Sequence, residues 1–238
     1  MDAFNEKPPN SIHRVLVLGL LFWELLFLLS CSSSKDTTSA KVPGTVEWQL
    51  AVLNDSPIGG QTKTGSPQTI ESPHGKAVQF DGKGDGLFLD ADPLLHLPQF
   101  TIEVIMRPDA KGSAEQRFLQ MGEVNGERVM METRLTPDDQ WYLDAYVRSG
   151  DSSRALIDKT KQHPTGTWYN VAFVVDNGAM NTYVDGKLEL EGRVKFSPFT
   201  KGKTSIGVRM NKAYWYKGAI YKIRITPRSL KLGEFMKL

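Results

Sequence analysis

Short segments in which every second residue is apolar recur along most of this sequence. The clearest are 100–106 (FTIEVIM) and 141–147 (WYLDAYV). Shorter examples occur at 171–175, 188–190, 206–208 and 223–225. A period of two indicates a β-strand with one buried face and one polar face. Because no long helical period follows residue 46, we predict an all-β fold.

The dipeptides Asp-Gly and Asn-Gly separate these segments, and both tolerate the positive φ of tight hairpins. They occur at 81–82, 125–126, 177–178 and 185–186. The last two predict a three-stranded meander with strands at 168–176, 180–185 and 187–192. Many short strands joined by such turns favour an antiparallel sandwich or barrel.

The N-terminus has the pattern of a targeting segment. Lys7 and Arg14 precede an apolar run at 15–30 that Glu24 interrupts. The run has about 16 residues, fewer than the roughly 20 that a comfortable membrane span needs. It ends in LLSC, which resembles the lipobox of bacterial lipoproteins, in which the cysteine is acylated and becomes the new N-terminus. This resemblance marks Cys31 as the lipidated residue.

The chain is therefore expected to have three parts, namely a signal peptide at 1–30, a flexible tether at 31–45 and one folded domain at 46–238. The resemblance implies export and a lipid anchor in the bacterial cell envelope, and Ser32 after the cysteine favours the outer membrane. An uncleaved N-terminal membrane anchor is the alternative. Because Cys31 is the only cysteine, no intrachain disulfide can form.

The charge pattern argues against nucleic acid as a partner. The formal net charge is +2, and acidic and basic residues are mixed along the chain. Nucleic-acid-binding domains usually concentrate lysine and arginine in a patch or stripe, and no such stripe is present in the sequence.

Four segments, in order, resemble those of a known family. They are 75–86 (GKAVQFDGKGDG), 100–108 (FTIEVIMRP), 168–187 (WYNVAF through YVDGK) and 206–225 (IGVR, GAI and IRI). Together they resemble bacterial laminin-G-like domains of the concanavalin A-like lectin/glucanase superfamily. The resemblance implies a jelly-roll sandwich of two curved antiparallel sheets. A fold does not assign a function, so the site has to be argued separately.

The resemblance also raises the question of calcium. Many relatives carry an acidic residue directly after the Gly-x-Ile of the last strand, where it helps to hold a structural calcium ion. This chain has Tyr221 and Lys222 there, and the lysine adds positive charge where a cation would lie. Calcium prefers six to eight oxygen ligands. We expect no cofactor, and a calcium ion held by Asp81 and Asp85 is the alternative.

The segment 141–147 provides the first candidate binding residues. If its apolar residues face the core, the opposite face carries a set of aromatic and charged side chains: Tyr142, Asp144, Tyr146 and Arg148. Aromatic rings stack on sugar rings and charged groups bond sugar hydroxyls, so this face suits a carbohydrate. The neighbouring run 128–134 can extend the same surface. The alternative is a solvated outer face with ordinary cross-strand pairs.

A second candidate cluster lies near the C-terminus, where Arg209 is followed by three successive aromatic residues at 214–216. Three successive aromatic side chains cannot all enter one core from one strand, so at least one is expected to be exposed. Exposed aromatic residues on loops often recognise ligands. We therefore assign Arg209, Tyr214 and Trp215 to the carbohydrate site, with Trp215 as a cap on the sandwich edge as the alternative.

Two residues within the family-like segments are predicted to have structural roles. Trp168 is expected to be an aromatic anchor of the core. Glu103 is expected to make a contact at a strand edge or turn rather than to act in catalysis.

Three functions of different classes follow. We expect a non-catalytic, lectin-like protein that binds a glycan or polysaccharide. The alternatives are a structural envelope lipoprotein with a protein partner, and a glycoside hydrolase in which Glu132 and Asp144 converge in a cleft. The Glu-x-Asp-x-x-Glu signature of one large hydrolase family is absent, and the histidines at 74, 96 and 163 show no metal-ligand spacing. We therefore expect no enzymatic activity.

Overall fold

A computed structural model describes residues 44–238 of the chain. The predicted signal peptide, the predicted lipidation at Cys31 and nearly all of the predicted tether lie outside these residues. Within the described part, no helix is both long enough and apolar enough to cross a membrane.

Short strands account for most of the described residues, as the period-two pattern predicts. Their bounds are β1 Val46–Gln49, β2 Gln61–Thr64, β3 Gln68–Ser72, β4 Gly75–Asp81, β5 Gly86–Leu89, β6 Gln99–Pro108, β7 Glu115–Gly122, β8 Arg128–Leu135, β9 Gln140–Ser149, β10 Ser152–Ile157, β11 His163–Pro164, β12 Tyr169–Asp176, β13 Ala179–Val184, β14 Lys187–Arg193, β15 Lys203–Ile206 and β16 Lys217–Thr226. One short helix, α1, covers Leu50–Asp55, and a single 3-10 turn covers Leu232–Glu234.

The strands form two antiparallel sheets. Sheet A has the order β14-β13-β12-β6-β16-β4-β3, and β1 also pairs with β16. Sheet B has the order β10-β9-β8-β7-β15-β5-β2, and β11 also pairs with β9. The predicted two-sheet antiparallel sandwich is therefore confirmed.

Alternate residues of β6 and β9 enter the core that the two sheets share, as their sequence pattern predicts. The buried members are Phe100, Ile102, Val104 and Met106 on β6, and Trp141, Leu143, Ala145 and Val147 on β9. Buried residues of both sheets belong to one contiguous apolar cluster. The residues between them on β9 necessarily point to the outer face of sheet B.

The predicted meander is also confirmed, as β12, β13 and β14. Asn177 and Gly178, between β12 and β13, have φ of 46° and 87°. Asp185 and Gly186, between β13 and β14, have φ of 49° and 72°. Both pairs thus adopt the left-handed conformation that a two-residue hairpin turn requires.

The prediction that Trp168 anchors the core is wrong. Its ring is partly exposed, and it lies 5.6 Å from the ring of His74 and 5.6 Å from the guanidinium of Arg107. Tyr169, the next residue, begins the alternation that points into the core. Residue 168 lies on the opposite face of the strand, and among residues 44–238 it is Trp141 of β9 whose side chain is fully buried.

The prediction that Glu103 lies at a strand edge or turn is also wrong. Glu103 lies on β6, in the middle of sheet A, and is 0% exposed. Its carboxylate is 2.5 Å from Arg224 on the neighbouring strand β16. It also accepts the backbone N–H of Met236, because the C-terminal segment folds over this side of the sheet.

Candidate functional site

The outer face of sheet B carries the residues that the sequence predicts for binding. Tyr142, Asp144, Tyr146 and Arg148 alternate with the core residues of β9, so all four lie on this face. Asp144 is buried, whereas the two tyrosines and Arg148 remain partly exposed. The strand β8 pairs with β9 in register and brings Glu132 directly opposite Asp144.

Five charged side chains from β7, β8 and β9 form a network on this face, hereafter the charged network. Arg134 is its centre. One guanidinium nitrogen lies 2.6 Å from Glu115, and another lies 2.6 Å from Asp144 and 3.3 Å from Glu132. Arg117 lies 2.9 Å from Glu115 and 3.0 Å from Glu132. Two arginines thus hold three carboxylates in fixed positions.

Burial changes the ionisation of this network. Glu132 is 1% exposed. Burial, together with the charge of Asp144, raises the pKa of Glu132 from 4.5 to about 7, against the opposing effect of Arg117 and Arg134. Two neighbouring carboxylates with one raised pKa are a pattern that some glycosidases use.

Sequence analysis missed the contribution of β7, namely Glu115 and Arg117. The pairing of β7 with β8 is irregular between Arg117 and Leu119. Such a bulge adds one residue to a strand and breaks the alternation on which the prediction depends. Phe118 and Leu119 are consecutive and both buried, so period two fails at that point. The signal for this strand in the sequence is an apolar alternation that shifts by one residue at the bulge.

The loop 207–216, between β15 and β16, lies beside the network. Its backbone is tied to β7, since Arg117 donates its N–H to the carbonyl of Tyr214 at 2.9 Å. The guanidinium of Arg117 lies 3.8 Å from the centre of the Tyr214 ring. Met210 donates its N–H to the side chain of Gln120, also on β7, at 3.0 Å. These contacts bring Tyr214 and Arg209 to the predicted surface.

The three aromatic side chains at 214–216 differ in their exposure, as the sequence predicts. Tyr214 is 43% exposed, Trp215 is partly exposed and Tyr216 is fully buried. Among the described residues, no hydrogen bond and no cation–π pair joins Trp215 to the charged network, whereas Tyr214 lies under the guanidinium of Arg117.

Three arginines lie together at one end of this face, hereafter the arginine triad: Arg128, Arg148 and Arg209. Arg128 and Arg148 are directly opposite each other on β8 and β9. The guanidinium of Arg128 lies 5.1 Å from the centre of the Tyr146 ring. Burial lowers the pKa of Arg128, and the charges of Arg209 and Arg148 lower it further. The guanidinium of Arg128 is therefore close enough to those of Arg148 and Arg209 to be affected by their charges.

A groove of about 420 Å³ opens along the other strands of sheet B and the loop 207–216. Its walls include Thr62 and Thr64 of β2, Phe88 of β5 and the loop residues Met210 and Lys212. The ammonium of Lys212 lies 5.8 Å from the centre of the Phe88 ring. The sequence analysis assigned no binding role to β2 or β5, because they are short and their outward residues resemble ordinary surface residues.

Asp81 and Asp85 do not fit a calcium site. Asp81 accepts the backbone N–H groups of Lys83, Gly84 and Asp85 through one oxygen, at 2.8–3.2 Å. Asp85 accepts those of Ser66 and Asp81. Both carboxylates therefore stabilise the turn between β4 and β5. Among residues 44–238, no three His, Cys, Asp or Glu side chains are grouped as metal ligands. The expectation of no cofactor stays a prediction.

Several polar atoms of the outer face are buried without a partner among the described residues. They include Oδ1 of Asp144 and the Nε atoms of Arg128 and Arg209. Buried polar atoms in folded proteins are normally hydrogen-bonded, and each exception needs an explanation.

The fold agrees with the comparison to known families. The sequence profile described as the concanavalin A-like lectin/glucanases superfamily, laminin G type, matches residues 81–234. The chain belongs to this superfamily. Its two-sheet sandwich is the fold that the superfamily's name implies, and the match covers β7, β8, β9 and the loop 207–216. No curated protein matches the chain.

Solved structures show the same fold at low sequence identity. Domain 4 of AbnA, an extracellular arabinanase from Geobacillus stearothermophilus, in complex with arabinotriose, matches with a TM-score of 0.57 and 23% identity, over 76% of this chain and 88% of that one. The binding domain of botulinum neurotoxin DC, in complex with SialylT, matches with a TM-score of 0.56 and 14% identity, over 73% of this chain and 44% of that one. A SAP-like pentraxin from Limulus polyphemus matches with a TM-score of 0.53 and 14% identity, over 66% and 77%.

Proposed function

We propose that this protein is a non-catalytic carbohydrate-binding protein whose glycan lies on the outer face of sheet B. The observation that carries the proposal is the set of partly exposed aromatic and basic side chains on this face, namely Tyr142, Tyr146, Arg148 and Arg209. Guanidinium groups donate hydrogen bonds to sugar hydroxyls and tyrosine rings pack against sugar rings, so a glycan can use both kinds of side chain together.

The aromatic residues of the same face support a sugar rather than another polar ligand. Tyr142 and Tyr146 are partly exposed and are separated by about 13 Å along β9, at roughly 3.3 Å per residue. They can therefore contact different units of one oligosaccharide, with Asp144 between them. The groove on the other half of the sheet extends the same surface. Two of the similar structures are complexes with arabinotriose and with SialylT.

A glycoside hydrolase is the second candidate, because Glu132 and Asp144 are cross-strand neighbours and the pKa of Glu132 is raised to about 7. Hydrolysis needs two carboxyl groups that flank the scissile bond, one as acid and one as base or nucleophile. Here Arg134 bonds both carboxylates, at 3.3 Å and 2.6 Å. The space between them is thus occupied by a guanidinium, which favours binding over catalysis.

The test is a polysaccharide screen with the purified protein, in detergent where the lipid is present, followed by calorimetry on any ligand found. We expect Tyr146→Ala to weaken binding at least tenfold. Tyr221→Ala is the matched control, because Tyr221 is a partly exposed tyrosine of sheet A, and binding should not change. Release of reducing sugar that Glu132→Gln abolishes would support the hydrolase instead. A screen without any bound polysaccharide would favour the structural or protein-interaction alternative.

We also propose that the domain is held at the bacterial cell envelope, at the outer membrane, through a lipid on Cys31. The support is the sequence LLSC after the apolar run at 15–30. Cells grown with labelled palmitate should label the protein, and Cys31→Ala should lose both the label and the membrane association. Retention of the label in Cys31→Ala would contradict the proposal.

A further inference from the structure

Within the described residues, the arginine triad has no carboxylate at ion-pair distance. The ion pairs of the structure involve other arginines and lysines, and none includes Arg128, Arg148 or Arg209. Arg128 and Arg148 each donate to a backbone carbonyl, at 2.7 Å and 3.5 Å. These bonds orient the side chains without pairing them with a carboxylate.

The nearby carboxylates are already engaged. Glu132 is bonded by the arginines of the charged network. Glu123 is paired with Lys201 at 2.9 Å. Glu127 accepts the backbone N–H of Gly150 at 3.1 Å. Glu123 and Glu132 are thus paired with basic side chains, whereas Glu127 forms no ion pair among residues 44–238 and is the one carboxylate of the three that an approaching anion would meet.

The triad is also partly withdrawn from water. Arg128 is only 9% exposed, and its Nε is buried without a partner among residues 44–238, as is the Nε of Arg209. Burial and the neighbouring positive charges both disfavour the charged form of Arg128. Like charges gathered at a partly desolvated position are costly unless an opposite charge binds there. Guanidinium groups bond carboxylate and sulfate oxygens in a bidentate manner.

We propose that the arginine triad binds the anionic group of an acidic sugar, a carboxylate or a sulfate ester, whose ring stacks on Tyr146. This inference rests on the proposed carbohydrate-binding function and names its ligand class. Tyr146 is partly exposed, and its ring is 5.1 Å from the guanidinium of Arg128. Charge recognition and ring stacking are thus available within one sugar unit. The protein then selects acidic polysaccharides over neutral ones.

The experiment compares polysaccharides that differ only in charge. Polygalacturonate is paired with its methyl-esterified form, and heparin with desulfated, N-acetylated heparin. The full chain is used throughout. We expect at least tenfold tighter binding of the charged member of one or both pairs, and the pair that responds identifies a carboxylate or a sulfate. Binding should weaken as salt increases, because the interaction is electrostatic.

The variants Arg209→Gln and Arg148→Gln should each reduce binding of the acidic polysaccharide at least tenfold, with a melting temperature that does not fall, since each removes one of the repelling charges. The matched control is Arg193→Gln, which removes the same charge from an exposed position on β14 of sheet A and should bind as the parent does. Equal losses in all three variants would indicate unspecific attraction and would overturn the inference.

The failure of this inference differs from the failure of the proposed function. If neutral polysaccharides bind as tightly as acidic ones and Arg209→Gln has no effect, the triad inference is overturned while the carbohydrate-binding function stands. If neither neutral nor acidic polysaccharides bind, both proposals are overturned.

Discussion

Asp92 is a buried carboxylate with no cationic partner among residues 44–238. It is 8% exposed, and its Oδ1 accepts the backbone N–H of Leu94 at 2.9 Å. Burial raises the pKa of Asp92 from 3.8 to about 6. The folded protein therefore holds this proton more tightly than the unfolded chain does. The resulting contribution to stability is fully present below about pH 4 and is lost as the pH rises through about 6.

Asp92→Asn should remove this dependence, because an amide keeps the acceptor oxygen but does not ionise. We expect the parent to lose stability between pH 4 and pH 7 and Asp92→Asn to keep it. The free energy of unfolding of Asp92→Asn minus that of the parent should therefore increase by about 2–3 kcal/mol over this range, since one pKa unit corresponds to about 1.4 kcal/mol. Urea unfolding at several pH values measures this difference. Asp90→Asn, at an exposed position, is the control. Parallel pH profiles for Asp92→Asn and the parent would contradict the prediction.

At the scale of elements, the position of the loop 207–216 depends on the backbone conformation of Gly207, its first residue after β15. Gly207 has φ of +80°, and a Cβ atom there would overlap the buried ring of Phe80. Gly186, in the turn between β13 and β14, has φ of +72° with no atom within 4 Å of an added Cβ. The two glycines share a left-handed conformation and differ in the space around them.

Alanine at these two positions should therefore have unequal effects. Gly186→Ala should cost about 1–2 kcal/mol of unfolding free energy, the usual penalty of a left-handed backbone for a residue with a Cβ. Gly207→Ala should cost about 2–5 kcal/mol, because overpacking against Phe80 adds to that penalty. Urea unfolding of both variants at one pH provides the comparison. Equal losses would mean that Phe80 moves without cost.

At the scale of the whole molecule, the two sheets share a single apolar core. One contiguous cluster includes Trp141 of sheet B and Phe173 of sheet A. The smaller cluster around Phe235, under the C-terminal segment, packs on the far side of sheet A. Neither sheet can bury its apolar face without the other, so the sandwich should unfold as one unit.

We expect tryptophan fluorescence and far-UV circular dichroism to give the same midpoint of urea unfolding. Trp141 reports on the shared core, whereas Trp168 lies on the outer side of sheet A. Trp168→Phe should leave the fluorescence midpoint in agreement with the circular dichroism midpoint. Two separated transitions would show that one sheet, or the C-terminal segment, unfolds independently.

Much of this fold was predictable from local patterns. The alternation on β6 and β9 assigned the core side of each strand, and the turns at 177–178 and 185–186 assigned the meander of β12 to β14. These features depend on the backbone preferences of a few adjacent residues, so a short stretch of sequence is enough to predict which face of a strand is buried and where a hairpin turns. The same alternation placed Tyr142, Asp144, Tyr146 and Arg148 on one outer face.

Local patterns failed where the packing of distant segments matters. The prediction that Trp168 anchors the core followed its place in a family-like segment and disregarded the alternation of β12, and only the packed sandwich shows that Trp141 lies against Tyr169 instead. Glu103 could not be recognised as a buried residue of a central strand, because its burial requires β16 and the C-terminal segment on either side. The bulge in β7 interrupts the period of two, so the sequence pattern did not predict that Glu115 and Arg117 join the candidate site.

The candidate site itself is a product of strand pairing. Glu132 opposite Asp144, and Arg128 opposite Arg148, are consequences of the register between β8 and β9. Arg209 joins them because β15 lies beside β7, and the loop that follows is bonded to β7. The alternation along each strand is a local property, so the sequence by itself determined which side chains share a face. The choice of neighbouring strand is decided by the free energy of burying the whole apolar core, and only the assembled tertiary structure provides that burial.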